Sequence, residues 1–211
     1  MKDPMYWSKS LTIFLKENYA FLNNYDFEWS IIGSIASVLQ GCQLIPNDID
    51  IIIDNSKTIQ LLGERMKKYS KKEKSEGDIF TSNWLSSQEQ PVFEGTDQWG
   101  FHWDYVAWKI ARSEVQVAHI TAPKEFHEKF KGIWEAGPKI YPHLKQVHFD
   151  KYIIPVVPLE IQLETNMTRG LTERVQEIVR VFRENGYDHQ LLTIALDQNH
   201  LEQFEDLMKK G

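Results

Sequence analysis

Two aspartates one residue apart, Asp48 and Asp50, head an aliphatic run that continues through Ile51, Ile52 and Ile53. Side chains alternate along an extended strand, so both carboxylates fall on one side and can share a cation. Hard divalent ions such as Mg2+ or Mn2+ take oxygen ligands, commonly one or two carboxylates plus the phosphates of a substrate. Two like charges at the end of a buried strand suppress each other's ionisation, a cost that a bound cation relieves. Upstream, Gly33-Ser34 opens a short helix, where backbone N–H groups and the Ser34 hydroxyl can meet phosphate oxygens. Gly33 lets the backbone come close. Thirteen residues, Ile35 to Asn47, separate Ser34 from Asp48, enough for a helix and a return loop that set the two features side by side.

The elements around these residues follow from periodicity. Leu11, Phe14, Leu15 and Leu22 share one face of a helix over residues 6 to 22. Glu28 to Ile32 reads as a short strand, Ile35 to Gln40 as a short helix stopped by Gly41. The unbroken aliphatic stretch from Asp48 to Asp54 implies a strand covered on both faces, hence central in a sheet. Ser56 is placed to cap a helix reaching about Lys68, with Ile59, Leu62 and Met66 inward, and the lysine-rich segment after it reads as a solvated loop. Phe101 to Ile110 and Glu114 to Thr121 look like a hairpin that extends the sheet.

From Pro123 to Pro158 the prolines and glycines predict an irregular wrapping connection. Beyond it, Val175, Ile178, Val179 and Phe182 make a helical stripe ended by Asn185-Gly186, Asp188 can cap the next helix, and Leu201, Phe204 and Met208 mark a last one. The expected organisation is an α/β (α+β) core over 1–122, a connection over 123–157 and a C-terminal helical bundle over 158–211.

With 211 residues, 42% of them hydrophobic, the chain can bury a substantial core. The net charge of −6 gives no general pull toward phosphate backbones, so bulk DNA binding is not expected. A single cysteine, Cys42, excludes an internal disulfide and a thiolate-rich metal site, and suits a reducing compartment. No apolar segment reaches signal or membrane-spanning length, and a cytoplasmic protein is the expectation.

Ile32-Gly33-Ser34, the thirteen-residue spacer and Asp48-Ile49-Asp50-Ile51 together resemble the signature of the DNA polymerase beta-like nucleotidyltransferase superfamily. That signature is a hydrophobic residue, Gly, Gly or Ser, a short spacer, then alternating acid and hydrophobic residues. The segments Trp29 to Gly41 and Pro46 to Asp48 are also similar to its stand-alone members, and more weakly so are Pro158 to Glu164 and Arg169 to Arg174. The resemblance implies a mixed sheet flanked by helices and a magnesium-bound nucleoside triphosphate such as ATP. It also implies attack of an acceptor group on the α-phosphorus with loss of pyrophosphate. By residue, it assigns Gly33 and Ser34 to the triphosphate, and Asp48 and Asp50 to the metals.

Such enzymes usually supply a third acid from a later strand. In the corresponding stretch, Val115 to Ile120, the central positions hold Gln116 and Ala118. Asp104 in the partner strand is the favoured substitute, Glu114 is another, and no third acid at all remains open. Trp99, Phe101, Trp103, Tyr105 and Trp108 read as core, with stacking on a base or acceptor as the alternative. His102 and His119 lack ligand spacing. Lys109 and Arg112 suit an exposed hairpin end, and Arg169 and Arg174 either face the site or cover a helix. Two functions follow: transfer of a nucleotide to a small molecule, a protein side chain or an RNA end, or a relative that only binds nucleotide or a partner in a regulatory role. The third acid separates them.

Overall fold

The computed structural model describes residues 6–24, 26–80 and 83–209. Helix α1 (Tyr6–Asn24) buries Leu11, Phe14, Leu15 and Leu22 along with Trp7. Strand β1 (Trp29–Ile32) runs directly into α2 (Gly33–Leu39), and β2 (Asp48–Ile53) returns antiparallel beside β1. Helix α3 (Ser56–Arg65) starts from Asn55, not Ser56. The Asn55 backbone is extended and its side-chain oxygen accepts from the Lys57 N–H at 2.9 Å, which leaves Ser56 inside the first turn. Three residues of 3-10 helix follow at Lys67–Tyr69.

Strands β3 (Phe93–Thr96), β4 (His102–Ile110) and β5 (Ser113–Thr121) extend the sheet, and β5 pairs in parallel with β2. Ala111, at φ 51, makes the tight corner between β4 and β5. The expected irregular connection differs from what is found. It carries a short helix α4 (Lys124–Lys129), a 3-10 turn at Pro138–His143, and a hairpin, β6 (Lys145–Phe149) and β7 (Tyr152–Val156). Pro155 hides the hairpin in the sequence because a residue without an N–H argues against a strand interior. Here it stands opposite Gln146 of the edge strand β6. On β7's other side, Val156 aligns with Ile31, and the Val157 N–H donates to the Ile31 carbonyl at 3.1 Å.

The seven strands lie in the order β3-β4-β5-β2-β1-β7-β6, with β2 at the centre. One face buries Ile49, Ile51, Ile53, Val106, Trp108, Val115 and Val117 beneath α1 and α3. Each such aliphatic side chain contributes about 1.5–3 kcal/mol on burial. The other face meets the C-terminal helices α5 (Leu159–Thr168), α6 (Thr172–Asn185), α7 (His189–Ala195) and α8 (Gln198–Lys209). These share a second core with Ile32 and Ile52, so the helical tail is docked on the sheet. Among the described residues no helix is long and apolar enough to cross a membrane.

Candidate active site

Asp48, Asp50 and Ile52 alternate with Ile49, Ile51 and Ile53, which lie in the core under α1 and α3. Both carboxylates therefore sit on the face opposite that core. Asp50 is flanked by Ile32 of β1 on one side and Gln116 of β5 on the other, while Asp48 is aligned with Glu114. The face thus carries Asp48, Asp50 and Glu114 close together on the paired strands β2 and β5 at the middle of the sheet.

Gly33 turns the chain from β1 into α2 at φ +63, a left-handed conformation that favours glycine. A Cβ built there would stand 3.0 Å from Asp50 Oδ2, so the turn and the carboxylate touch. Any side chain at position 33 would press on the acid as well as strain the backbone. Ser34 is buried in the first turn of α2. Behind it, Ser37 Oγ donates to Gln162 Oε1 at 2.6 Å, which ties α2 to α5.

Glu135 is a member of this site that periodicity could not reveal, because it lies in the proline- and glycine-rich connection where no pattern marks an inward side chain. Its backbone is held firmly. The Glu135 N–H donates to Thr165 Oγ1 of α5 at 3.3 Å, and the Ile133 N–H donates to the Ala195 carbonyl at 2.8 Å. Gly132 packs so closely that a Cβ would lie 2.2 Å from that carbonyl. The buried Glu135 carboxylate faces the Gly33 amide, yet its Oε2 has no hydrogen-bond partner.

Electrostatics follow from this crowding. Burial, then the charge of Asp48, then that of Glu135 push Asp50 up to about 8, against smaller lowering by Arg174 and Arg169. Burial likewise raises Glu135, opposed by the Gly33 amide and the same two arginines. Glu114 is raised by burial and by Asp48, and Gln116 Nε2 donates to its Oε1 at 2.9 Å. Oxygen donors alone, mutually repelling, with one buried carboxylate oxygen left unpartnered, suit a hard divalent cation.

A cavity of about 250 Å3 opens onto Asp50, Gln116 and Glu135 and is walled by Trp103, Tyr105, Trp134 and Arg169. A second, of about 260 Å3, lies across Trp103 and Tyr105 and reaches Glu114 and Phe80. Of the aromatic set, these two rings border the site. Trp108 is core, Phe101 packs on Phe126 and Trp134, and Trp99 is exposed. A larger cavity of about 420 Å3, near Asp26, Glu28 and Asp54, is lined by none of these site residues.

Asp104 is not brought to the site. It pairs with His119, whose neighbours Val117 and Val115 face the core under α1 and α3. Alternation therefore sends it to the opposite face, and β5 stands between β4 and β2. There it is buried, 3.9 Å from His102 Nε2. His119 Nδ1 lies 3.0 Å from the Ile53 carbonyl, again away from the acids. Arg169 lines the cavity, whereas Lys109 and Arg112 are exposed near the β4–β5 corner.

The fold is nucleotidyltransferase-like. A solved structure of a proposed nucleotidyltransferase from Thermotoga maritima superposes with TM-score 0.53 at 19% identity, covering 83% of this chain and 94% of that one. An antigenic nucleotidyltransferase-like protein from Paracoccidioides brasiliensis overlaps more loosely, with TM-score 0.41 at 8% identity over 96% of this chain and 92% of that one. No family model and no curated protein sequence matches the chain.

Proposed function

We propose that this chain transfers a nucleoside monophosphate from a magnesium-bound nucleoside triphosphate to an acceptor. The observation that carries the reading is the contact between the Gly33 turn and Asp50 on a central strand that presents Asp48 on the same face. A phosphate-binding turn and a cation-binding pair are useful to each other only when adjacent. Asp48 and Asp50 hold Mg2+ or Mn2+, and Gly33 and Ser34 hold phosphate oxygens. When bound, the cation neutralises the triphosphate and polarises the α-phosphoryl group.

In the transfer, an acceptor oxygen forms a bond to the α-phosphorus as the bond to the bridging oxygen of pyrophosphate breaks. The acceptor's proton needs a base. Glu114 is the candidate on the correct face, aligned with Asp48, and its raised pKa brings it nearer neutrality, where a general base works best. Trp103, Tyr105 and Trp134 offer apolar walls for the acceptor or the base of the nucleotide. The acceptor is a small molecule, a protein side chain or an RNA end.

Gln116 beside Asp50 favours a second reading, a relative that binds nucleotide for a regulatory purpose without turnover. Incubation with α-labelled triphosphates and a panel of acceptors, including the protein itself, separates the two. Label transfer that Glu114→Gln reduces while triphosphate binding persists supports catalysis. Binding without transfer across the panel supports the second reading, and transfer unaffected by Asp48→Asn removes the metal pair from the mechanism.

A further inference from the structure

The two cavities at the site divide its charged groups. The one of about 250 Å3 holds Asp50, Glu135 and Arg169, the one of about 260 Å3 holds Glu114, and they share only Trp103, Tyr105 and Gln116. The Asp50 side offers a cation-binding acid and a guanidinium to a triphosphate. The Glu114 side holds the candidate base, so the acceptor belongs there.

Tyr105 stands at the junction with its hydroxyl uncommitted. It is 7% exposed and its ring packs with Ala107 and Ala118, yet among the described residues the oxygen makes no hydrogen bond. A phenol so enclosed ordinarily has a partner. Burial, then the charges of Glu114, Asp50 and Asp48, hold its pKa above the usual tyrosine value, so it is a donor awaiting an acceptor. Glu114 is half committed, because Gln116 donates to its Oε1 while its Oε2 makes no hydrogen bond. An alcohol oxygen, with one proton and two lone pairs, answers both. It donates to Glu114, accepts from Tyr105 through one lone pair and keeps the other for the α-phosphorus. In the transfer its proton passes to Glu114, the O–P bond forms, and pyrophosphate leaves with the electrons of the bond that breaks. An ammonium group has no lone pair with which to accept.

The remaining walls are aromatic and held in place. Trp103 Nε1 donates to Asp97 Oδ2 at 3.2 Å, Phe80 meets Trp103 edge-on with centroids 6.1 Å apart, and Trp84 packs on Tyr105 at 6.0 Å. Flat apolar walls suit a ring. The volume falls below the about 300–1,000 Å3 typical of pockets for drug-sized ligands, so one ring with a short arm fits and a nucleic-acid strand does not. Among the described residues no lysine or arginine lines this cavity, and Lys109 and Lys71 bear on Glu114 from outside it. A phosphate group there would lack a counter-charge.

We propose that the Glu114 cavity is the acceptor subsite, that it takes a small uncharged alcohol carrying one ring, and that Tyr105 positions the accepting oxygen. The inference rests on the nucleotidyltransferase reading and selects among its acceptors.

The test is saturation-transfer NMR on the full chain with benzyl alcohol, toluene, benzylamine and benzyl phosphate, which share a ring and differ in the group it carries. Wild type should bind benzyl alcohol about fivefold more tightly than toluene, the worth of one hydrogen bond, and more tightly than either charged probe. Mg2+ and ATP should not displace it. Tyr105→Phe should abolish the preference over toluene and leave the toluene affinity unchanged. A preference retained in that variant, folded by circular dichroism, overturns the role of Tyr105. Tighter binding of benzylamine or benzyl phosphate overturns the substrate class, and displacement of benzyl alcohol by Mg2+ and ATP overturns the division into two subsites. No binding of benzyl alcohol, beside Mg2+-dependent ATP binding in calorimetry, overturns the inference and leaves the nucleotidyltransferase reading standing. Absence of that ATP binding overturns the reading itself, and with it the acceptor role of any bound alcohol.

Discussion

Two groups of acids, one enclosed on α5 and one partly enclosed on the sheet, are treated in opposite ways. On α5, Glu160 and Glu164 are almost wholly enclosed, but every charge is answered. Lys145 Nζ lies 3.2 and 3.0 Å from the two oxygens of Glu160, and the Asp188 N–H donates to Oε1 at 3.0 Å. Glu164 Oε2 accepts from the Asp197 N–H at 3.1 Å and lies 2.9 Å from His200 Nδ1. Glu164, Asp197 and His200 offer ligand atoms within 4.8 Å of one another, yet Asp197 Oδ1 is already engaged with the His200 N–H at the start of α8. That cluster fastens α8 to α5. On the sheet, the charges of Asp48 and Glu135 both press on Asp50, and Oε2 of Glu135 is unanswered. Burial alone does not distinguish structural from functional acids; the supply of donors does.

The most severe way to break the comparison is at the sheet. Asp48→Asn combined with Asp50→Asn should abolish Mg2+-dependent ATP binding in calorimetry while the circular dichroism spectrum persists. Equal binding by the double variant would dissolve the distinction between the two groups.

Next comes the α5 cluster. Glu164→Ala strips an acceptor from the N-terminal end of α8 and should cost about 1–3 kcal/mol in urea unfolding, because the Asp197 N–H and His200 are left without their partner. Nucleotide binding should change far less than stability. A loss of ATP affinity without loss of stability would instead mark this cluster as a site.

A smaller effect concerns pH. Asp50 holds its proton more tightly folded than unfolded, since burial, Asp48 and Glu135 raise it to about 8 from an ordinary aspartate value. Lowering the pH through the interval between those values should stabilise the metal-free protein, and raising it should destabilise. Glu135 and Glu114, also raised, act in the same direction. Urea unfolding in EDTA across that interval should show the slope, and Asp50→Asn should flatten it and be more stable than wild type at its upper end. A slope of the opposite sign would mean that the acids are satisfied in the folded state.

The smallest effect is expected at Asp104. Because it lies on the other face of the sheet, Asp104→Asn should leave nucleotide transfer and ATP binding unchanged. Transfer lost with binding retained would return it to the reaction.

What the sequence determined by itself was local. Alternation put Asp48 and Asp50 on one face, the aliphatic run placed their strand at the centre, and Gly33-Ser34 marked the turn into α2. The helical stripe of α6, its stop at Gly186 and the Asp188 cap were equally legible, because each depends on neighbours within a few residues. Tertiary structure decided the rest. Asp104 and Glu114 stand in adjacent strands, and only the pairing register shows that Glu114 shares the face of Asp48 while Asp104 does not. The β6–β7 hairpin was masked by Pro155, tolerated opposite an edge strand that no local pattern announces. Glu135 reaches Gly33 across about a hundred residues of chain, a contact made by docking an aperiodic connection on α5, and periodicity carries no information about such a contact.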